Sequence, residues 1–246
     1  MPQNNHYNDN VKCVIPISGG LDSSVILFYA KYGYIENRFN DIYCISFDYG
    51  QRHIRELECA KYQAKQAECK DHTIIDIKFF KDIASISSLT NQDIDVAKTR
   101  DVLGDPQTVN YVPFRNMMML SIACAYAESV KADVVFHGAA QVDSQAGYWD
   151  GSKEFIDEIN NVTALNRRQR IKIEAPLIDK SKKEIIEMGI EYGVDFKHTH
   201  TCYEGEEAGC GECTACSSRL KGFIDAGEID PISYSNRIDW ETYLQK

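Results

Sequence analysis

The stretch VKCVIPISGGLDSSVILFYAKYG, Val11 to Gly33, is an apolar run broken by a double glycine and resumed by a second apolar run. VKCVIPIS, Val11 to Ser18, shows no polar alternation, the pattern of a strand buried on both faces of a parallel sheet. DSSVILFYAKYG, from Asp22, reads as a helix stopped by Gly33. Between them, Gly19 and Gly20 let the backbone turn tightly and bring amide N–H groups against an anion with no Cβ in the way. The helix aims its N-terminal dipole and unpaired N–H groups at the same point. Ser23 and Ser24 add hydroxyl donors, and Asp22 is suited to hold Mg²⁺ directly or through water. A plain Gly-Gly turn with a capped helix would not require the whole run Ser18 to Ser24. The Walker lysine and the GxGxxG pattern are both absent from it.

Outward from this unit, strand-like and helix-like runs alternate. DIYCISFDYG predicts a second strand from Asp41 to about Asp48, followed by the helical HIRELECAKYQAKQAECK. HTIIDIKFF supplies a third strand, ADVVFHG a fourth and RIKIEAPL a fifth. FRNMMMLSIACAYAESV, Phe114 to Val130, is a strongly apolar helix, and SKKEIIEMGIEYG is a helix ending near Gly193. Such alternation predicts an α/β fold with a Rossmann-like parallel sheet and right-handed crossovers. Ligands then lie outside the carboxyl ends of the strands, where the motifs fall. Residues from about Ser85 to Val112 show no periodicity and read as an insertion or long loop.

The 246 residues suffice for one generous domain, or one domain with a small appendage. Acidic residues number 37 against 27 basic ones, a net charge of −10, which argues against an extended nucleic-acid surface. No apolar run reaches the length of a membrane span. The first ten residues, MPQNNHYNDN, lack the apolar core of a secretory leader and read as a disordered tail. Nine cysteines without such a leader point to a reducing, cytoplasmic compartment. Cys13, Cys44 and Cys124 sit in apolar stretches and read as buried free thiols.

Four other cysteines cluster as Cys202-x₇-Cys210-x₂-Cys213-x₂-Cys216, with Gly209 and Gly211 beside the second. Two overlapping CxxC steps and one distal cysteine suit tetrahedral thiolate coordination of Zn²⁺, with an iron–sulfur cluster as the alternative. His198 and His200 lie close by, but four thiolates already fill a structural site. A further motif follows the second strand, SFDYGQRH, Ser46 to His53. Its strand end is placed to read adenine through the backbone of Ser46 and Phe47, and Arg52 and His53 to reach phosphate or substrate.

The run SGGLDSS resembles the PP-loop of the ATP pyrophosphatases, which adenylate a substrate oxygen and release pyrophosphate. Together with SFDYGQRH, VPFRN (Val112 to Asn116), APLIDKSKKEI (Ala175 to Ile185) and TCYEGEEAGCGECTAC, it resembles the QueC, or 7-cyano-7-deazaguanine synthase, family over roughly residues 11 to 230. The resemblance implies a fold of the PP-loop, adenine nucleotide α-hydrolase type, with residues 11–195 as the ATP-binding α/β domain. Residues 196–246 would then form a zinc-binding and helical C-terminal segment. It also implies an ATP-dependent C–N ligase. In that reaction the carboxylate of 7-carboxy-7-deazaguanine is adenylated, ammonia displaces AMP, and a second activation dehydrates the amide to the nitrile. By position, Asp22, Arg115 and Lys182 become the catalytic residues, the last two as phosphate cations. Nucleotide contacts are expected at Ser18, Gly19, Gly20, Leu21, Asp22, Ser23, Ser24, Ser46, Phe47, Arg52 and Gly138. The cofactors implied are ATP, Mg²⁺ and Zn²⁺, the zinc on Cys202, Cys210, Cys213 and Cys216, in a homodimer.

Two stretches depart from the family pattern. Where relatives carry D-x-S-G-Y-P-D-C-R-x-E-F along the base pocket, this chain reads Asp143 to Phe155 as DSQAGYWDGSKEF, with one residue inserted. Trp149, Gly151 and Ser152 stand at the Pro, Cys and Arg positions, and Phe114 stands where VPGRN has glycine. Substrate contacts are expected at Asp143, Tyr148, Trp149 and Asp150. The altered pocket leaves two acceptors open, free ammonia or an amine on another molecule such as a protein. A tRNA-thiolating enzyme would need a cysteine pair near the loop and a basic face, and neither is evident. A non-catalytic nucleotide-binding module would not need Asp22, Arg115 and Lys182.

Overall fold

The apolar run at Val11–Pro16 forms the central strand, β1, because both of its faces find a hydrophobic layer. Cys13 and Ile15 point into one core cluster, and Val14 between them points into the other. This is the period-two alternation of a strand covered on both sides. The computed structural model describes residues 11–34, 39–51, 55–98, 109–141, 148–205 and 207–244. It adds β2 (Phe39–Asp48), β3 (Asp71–Asp76), β4 (Val134–Phe136) and β5 (Lys172–Glu174). All pair in parallel, in the order β3-β2-β1-β4-β5. The order reverses at β1, between β2 and β4, and the crevice at the carboxyl ends of these strands is where such sheets bind ligands.

One layer holds α1 (Leu21–Phe28), α2 (Arg55–Gln66), α6 (Lys182–Glu191) and α7 (Thr214–Ala226); Val25, Ala60, Ile185 and Phe223 meet β1 there. The other holds α3 (Phe80–Ile83), α4 (Arg115–Val130) and α5 (Lys153–Thr163), with Phe80, Leu120, Ala123 and Ile156 against Val14 and Ile45. A short helix, α8 (Trp240–Leu244), follows α7. The C-terminal segment is thus fastened into the main core through Phe196 and Phe223, whose rings meet edge to face.

Several ends differ from the sequence reading. β1 stops at Pro16, although Ile17 N still donates to Ile45 O at 2.8 Å. The helix from Leu21 changes to a π turn over Tyr29–Gly33, where Tyr34 N reaches back to Tyr29 O. α2 ends at Gln66 rather than running through residue 70, because Glu68 turns left-handed (φ 53°) and Lys70 N is captured by Ile42 O. Among described residues between 84 and 114 no helix or strand forms beyond an isolated bridge from Lys98 to Cys213, as the missing periodicity predicts. Among the described residues, no helix is long and apolar enough to cross a membrane.

Candidate active site

Gly19 is required twice over. Its φ of +81° is left-handed, and a Cβ there would lie 2.1 Å from Glu56 O and 2.6 Å from Ala60 N. The turn is therefore seated directly on α2. Gly20 caps α1 with no side-chain hydrogen bond, so the first amides of the helix carry no side-chain partner from the cap. Ser18 Oγ accepts from Gly20 N at 3.2 Å and lies 3.0 Å from Ser23 Oγ, which accepts from Ser18 N. Ser24 is fully buried and donates to Gly20 O at 2.8 Å, so its hydroxyl braces the turn. Leu21 is buried in the core and offers the turn its backbone alone.

Lys182 opens α6, behind the capping box of Ser181 and Glu184. Its ammonium donates to both carboxylate oxygens of Asp22, at 2.6 and 2.8 Å. Gly222 of α7 leaves room for its stem, since a Cβ there would stand 2.5 Å from Lys182 Cγ. Arg115 opens α4 and donates to Tyr49 Oη at 3.4 Å, its guanidinium carbon 5.9 Å from the Tyr49 ring centre. Burial alone would weaken its hold on the proton, but Tyr49, Tyr203 and Asp150 more than reverse that, and the pKa rises. Glu56, in the first turn of α2, faces the same group. Burial pushes its carboxyl up to about 7, against the pull of Arg115 and with a smaller push from Cys202. Glu56, Tyr49 and Tyr203 are site residues the sequence reading did not single out.

Ser46 is buried and its hydroxyl is already engaged, with Ile17 O at 2.5 Å and His72 Nε2 at 2.8 Å. Phe47 packs its ring in the core and its carbonyl accepts from Gln51 Nε2 at 3.1 Å. Gly138, just past β4, is open: nothing lies within 4 Å of where its Cβ would be. Arg52, His53 and Asp143 lie outside the described residues.

Phe114 and the turn at Trp149 meet in space. Phe114 and Trp149 pack edge to face with ring centres 5.3 Å apart, and Trp149 packs its ring on Phe155 at 5.2 Å. Trp149 Nε1 donates to Tyr111 Oη at 2.9 Å, and Tyr111 lies near-parallel to Tyr148. Asp150 is buried, and its carbonyl meets His137 Nε2 at 3.1 Å. Ser152 caps α5 by accepting from Phe155 N.

The sulfur atoms of Cys202, Cys210, Cys213 and Cys216 all lie within 4.8 Å of one another. Tetrahedral Zn–S bonds of about 2.3 Å require sulfur separations near 3.8 Å, so the set fits a four-thiolate metal with small adjustment. Cys210 N, Cys213 N and Cys216 N each donate to a neighbouring sulfur at 3.3 to 3.4 Å, which favours the thiolate form. The nearby histidines are occupied elsewhere. His198 pairs with Asp195 and stacks on Tyr62, while His200 Nε2 lies 3.1 Å from Cys202 O. Arg219, fully buried, holds Asp230 through two bonds and also reaches Thr199, Thr201 and Phe196 O. His200 N then donates to Gly19 O at 2.9 Å, tying this knot to the glycine turn.

A family model described as Queuosine biosynthesis protein QueC matches residues 12–227. The chain is 40% identical over 226 residues to the 7-cyano-7-deazaguanine synthase of Oceanobacillus iheyensis, covering 91% of this chain and 98% of that one. It is also 40% identical over 230 residues to the enzyme of the same name from Clostridium kluyveri, at 91% and 97% coverage. Among solved structures, the U34-tRNA thiolase NcsA from Methanococcus maripaludis, which carries a [4Fe-4S] cluster, superposes with a TM-score of 0.52. That similarity is at 16% identity, over 88% of this chain and 66% of that one, and concerns the fold.

Proposed function

This chain is an enzyme that belongs to the QueC family, and on that premise we propose that it converts 7-carboxy-7-deazaguanine to 7-cyano-7-deazaguanine with ATP and ammonia. The observation that carries the reading is the glycine turn beside the Asp22–Lys182 pair. It is a phosphate cradle with an acid and a cation at its mouth, in a chain about 40% identical to curated synthases over nearly their whole length. Ser18 to Ser24 would hold the nucleotide's phosphates through backbone amides, with Ser23 donating a hydroxyl. A carboxylate oxygen of the substrate attacks the α-phosphorus, and the bond to pyrophosphate breaks. Arg115 and Lys182 would spread the charge that develops and hold the two reactants in line. Ammonia then attacks the acyl carbon, AMP leaves, and the amide oxygen is activated in the same way before the nitrile forms.

Asp22 would hold Mg²⁺, which when bound neutralises the departing pyrophosphate. Cys202, Cys210, Cys213 and Cys216 would hold Zn²⁺ as a structural ion. Residues 11–195 serve as the activating body and residues 196–246 as the metal-bearing segment, in a cytoplasmic homodimer. Tyr148, Trp149 and Asp150 would receive the base, with Asp143 of the same motif. A second reading, transfer of the activated carboxylate to an amine on another molecule such as a protein, is favoured by Phe114, whose ring is 60% exposed beside the pocket.

Purified protein incubated with ATP and 7-carboxy-7-deazaguanine, with and without ammonium, decides between them. The primary reading expects nitrile, AMP and pyrophosphate only with ammonium. ADP and orthophosphate as products would sink it. A covalent deazaguanine adduct on a co-purified protein, in place of the nitrile, would establish the second reading.

A further inference from the structure

Tyr111 links the turn that carries Phe114 to the turn that carries Trp149. Its hydroxyl accepts from Trp149 Nε1 at 2.9 Å and, more weakly, from Phe114 N at 3.4 Å. A phenolic oxygen that accepts twice still has its own proton to give, and no acceptor for that proton lies among the described residues. Its ring lies near-parallel to Tyr148, with centroids 6.2 Å apart and planes at 23°. Phe114 sits at φ 54°, ψ 16°, a left-handed conformation that costs a non-glycine residue roughly 1–2 kcal/mol. Burial does not offset that cost, because the ring is 60% exposed. Strain held at a ring this exposed, with the edge of Trp149 as its one described aromatic contact, is a mark of functional positions. Arg115 is the next residue and the first of α4, so Phe114 stands directly beside a buried cation that Tyr49 holds separately.

Resting on the substrate reading above, we propose that Tyr111 is a positioning residue. It locks Phe114 edge to face with Trp149 beside Arg115, and the exposed Phe114 ring is the aromatic face that selects a flat, fused heteroaromatic ring bearing a carboxylate. The ring lies against the aromatic face, the carboxylate turns toward Arg115, and the Tyr111 hydroxyl donates a hydrogen bond to the ligand. Offset stacking on aromatic faces suits any flat base, whereas the pairing of face and cation demands an acid substituent on it.

The chain has two tryptophans, Trp149 and Trp240, so Trp240→Phe leaves Trp149 as the sole indole reporter. In that background, 7-carboxy-7-deazaguanine should quench the indole emission, and monocyclic benzoate should not. Tyr111→Phe should raise both the dissociation constant and KM for the carboxylate about tenfold, the loss of one hydrogen bond to the ligand or its wall. KM for ATP should stay in place and kcat within about twofold. Trp149→Phe keeps a ring and removes the donor, so it should show the same KM shift and covers the case in which Tyr111→Phe does not fold. Phe114→Gly should raise the unfolding temperature while raising that KM.

Unchanged binding in Tyr111→Phe, or KM for ATP moving in parallel, would overturn the proposal. If other fused heteroaromatic carboxylates quench Trp149 in a Tyr111-dependent way and 7-carboxy-7-deazaguanine does not, the substrate reading fails and the face stands. If no fused heteroaromatic carboxylate quenches it, the face itself is refuted.

Discussion

Asp22 holds Lys182 through both carboxylate oxygens, so the acid and the cation neutralise each other at the mouth of the glycine turn. On the proposed function, a polyphosphate would draw the ammonium away and leave the carboxylate for a divalent cation. Asp22→Asn keeps the shape and removes the charge. It should reduce pyrophosphate release at least a hundredfold, whereas Ser23→Ala should cost about 2 kcal/mol, one hydrogen bond to a charged group. Equal effects of the two, measured by pyrophosphate release, would contradict the division of labour. Glu56 gives a prediction of another kind. Its folded pKa of about 7 exceeds the ordinary 4.5 because burial disfavours the charge. Between those values the folded chain keeps a proton that the unfolded chain has lost, so stability falls as pH rises through that window. Glu56→Gln removes this loss. The variant should match the parent near pH 4.5 and exceed it by about 3 kcal/mol near pH 8, read by denaturant titration. A difference that stays flat with pH would rule the environment out. Asp22 could be named from the glycine turn and Lys182 from the family resemblance, whereas the setting of Glu56 exists only once α2 packs on Gly19.

The elements that could be read in advance are those with both a pattern and a terminator. β1 and α1 flank the double glycine, α6 begins at a capping box, and α4 is apolar over four turns. α5 carries a helical pattern, with Phe155, Ile156 and Ile159 on one face, which Asn160, Asn161 and Thr163, poor helix formers, obscure in the sequence. What holds it is tertiary, since Asn160 bonds both to Ile173 O and to Ile173 N of β5. The packing of α2 on the turn was likewise invisible, although it explains why Gly19 tolerates no substitute. Gly19→Ala adds left-handed strain and a clash with two backbone atoms that no rotamer can relieve. It should cost 3 kcal/mol or more in stability and abolish nucleotide binding, by thermal melting with and without ATP. Retention of the ATP-induced shift in melting temperature would show that α2 can retreat.

Across the whole molecule, the cysteine cluster lies nearly two hundred residues from the glycine turn in sequence, yet one short path joins them. The chain runs from the thiolates at Cys202 back to His200, whose N–H bonds Gly19 O. Arg219 clamps the same passage through Thr199, Thr201 and the buried Asp230. The spacing of the cysteines predicted the metal set but carried no information about what the loop beside it touches. A metal on the four thiolates and the buried ion pair would therefore restrain one segment by different means, and removing either should reach the turn. Cys213→Ala should lose the metal and unfold at lower temperature, because binding energy in such a site is folding energy. Its affinity for ATP should fall in step as His200 loses its place. Arg219→Met strands Asp230 in the core and should cost about 3–5 kcal/mol. It should nevertheless retain the metal, since no thiolate is touched. Elemental analysis, melting curves and ATP titration on the two variants separate the contributions. Zinc in the parent and none in Cys213→Ala, with ATP binding weakened in both variants, is the expected pattern. Full ATP affinity in a metal-free variant would show that the turn keeps its shape without the knot, and that the bond from His200 follows the loop rather than holding it.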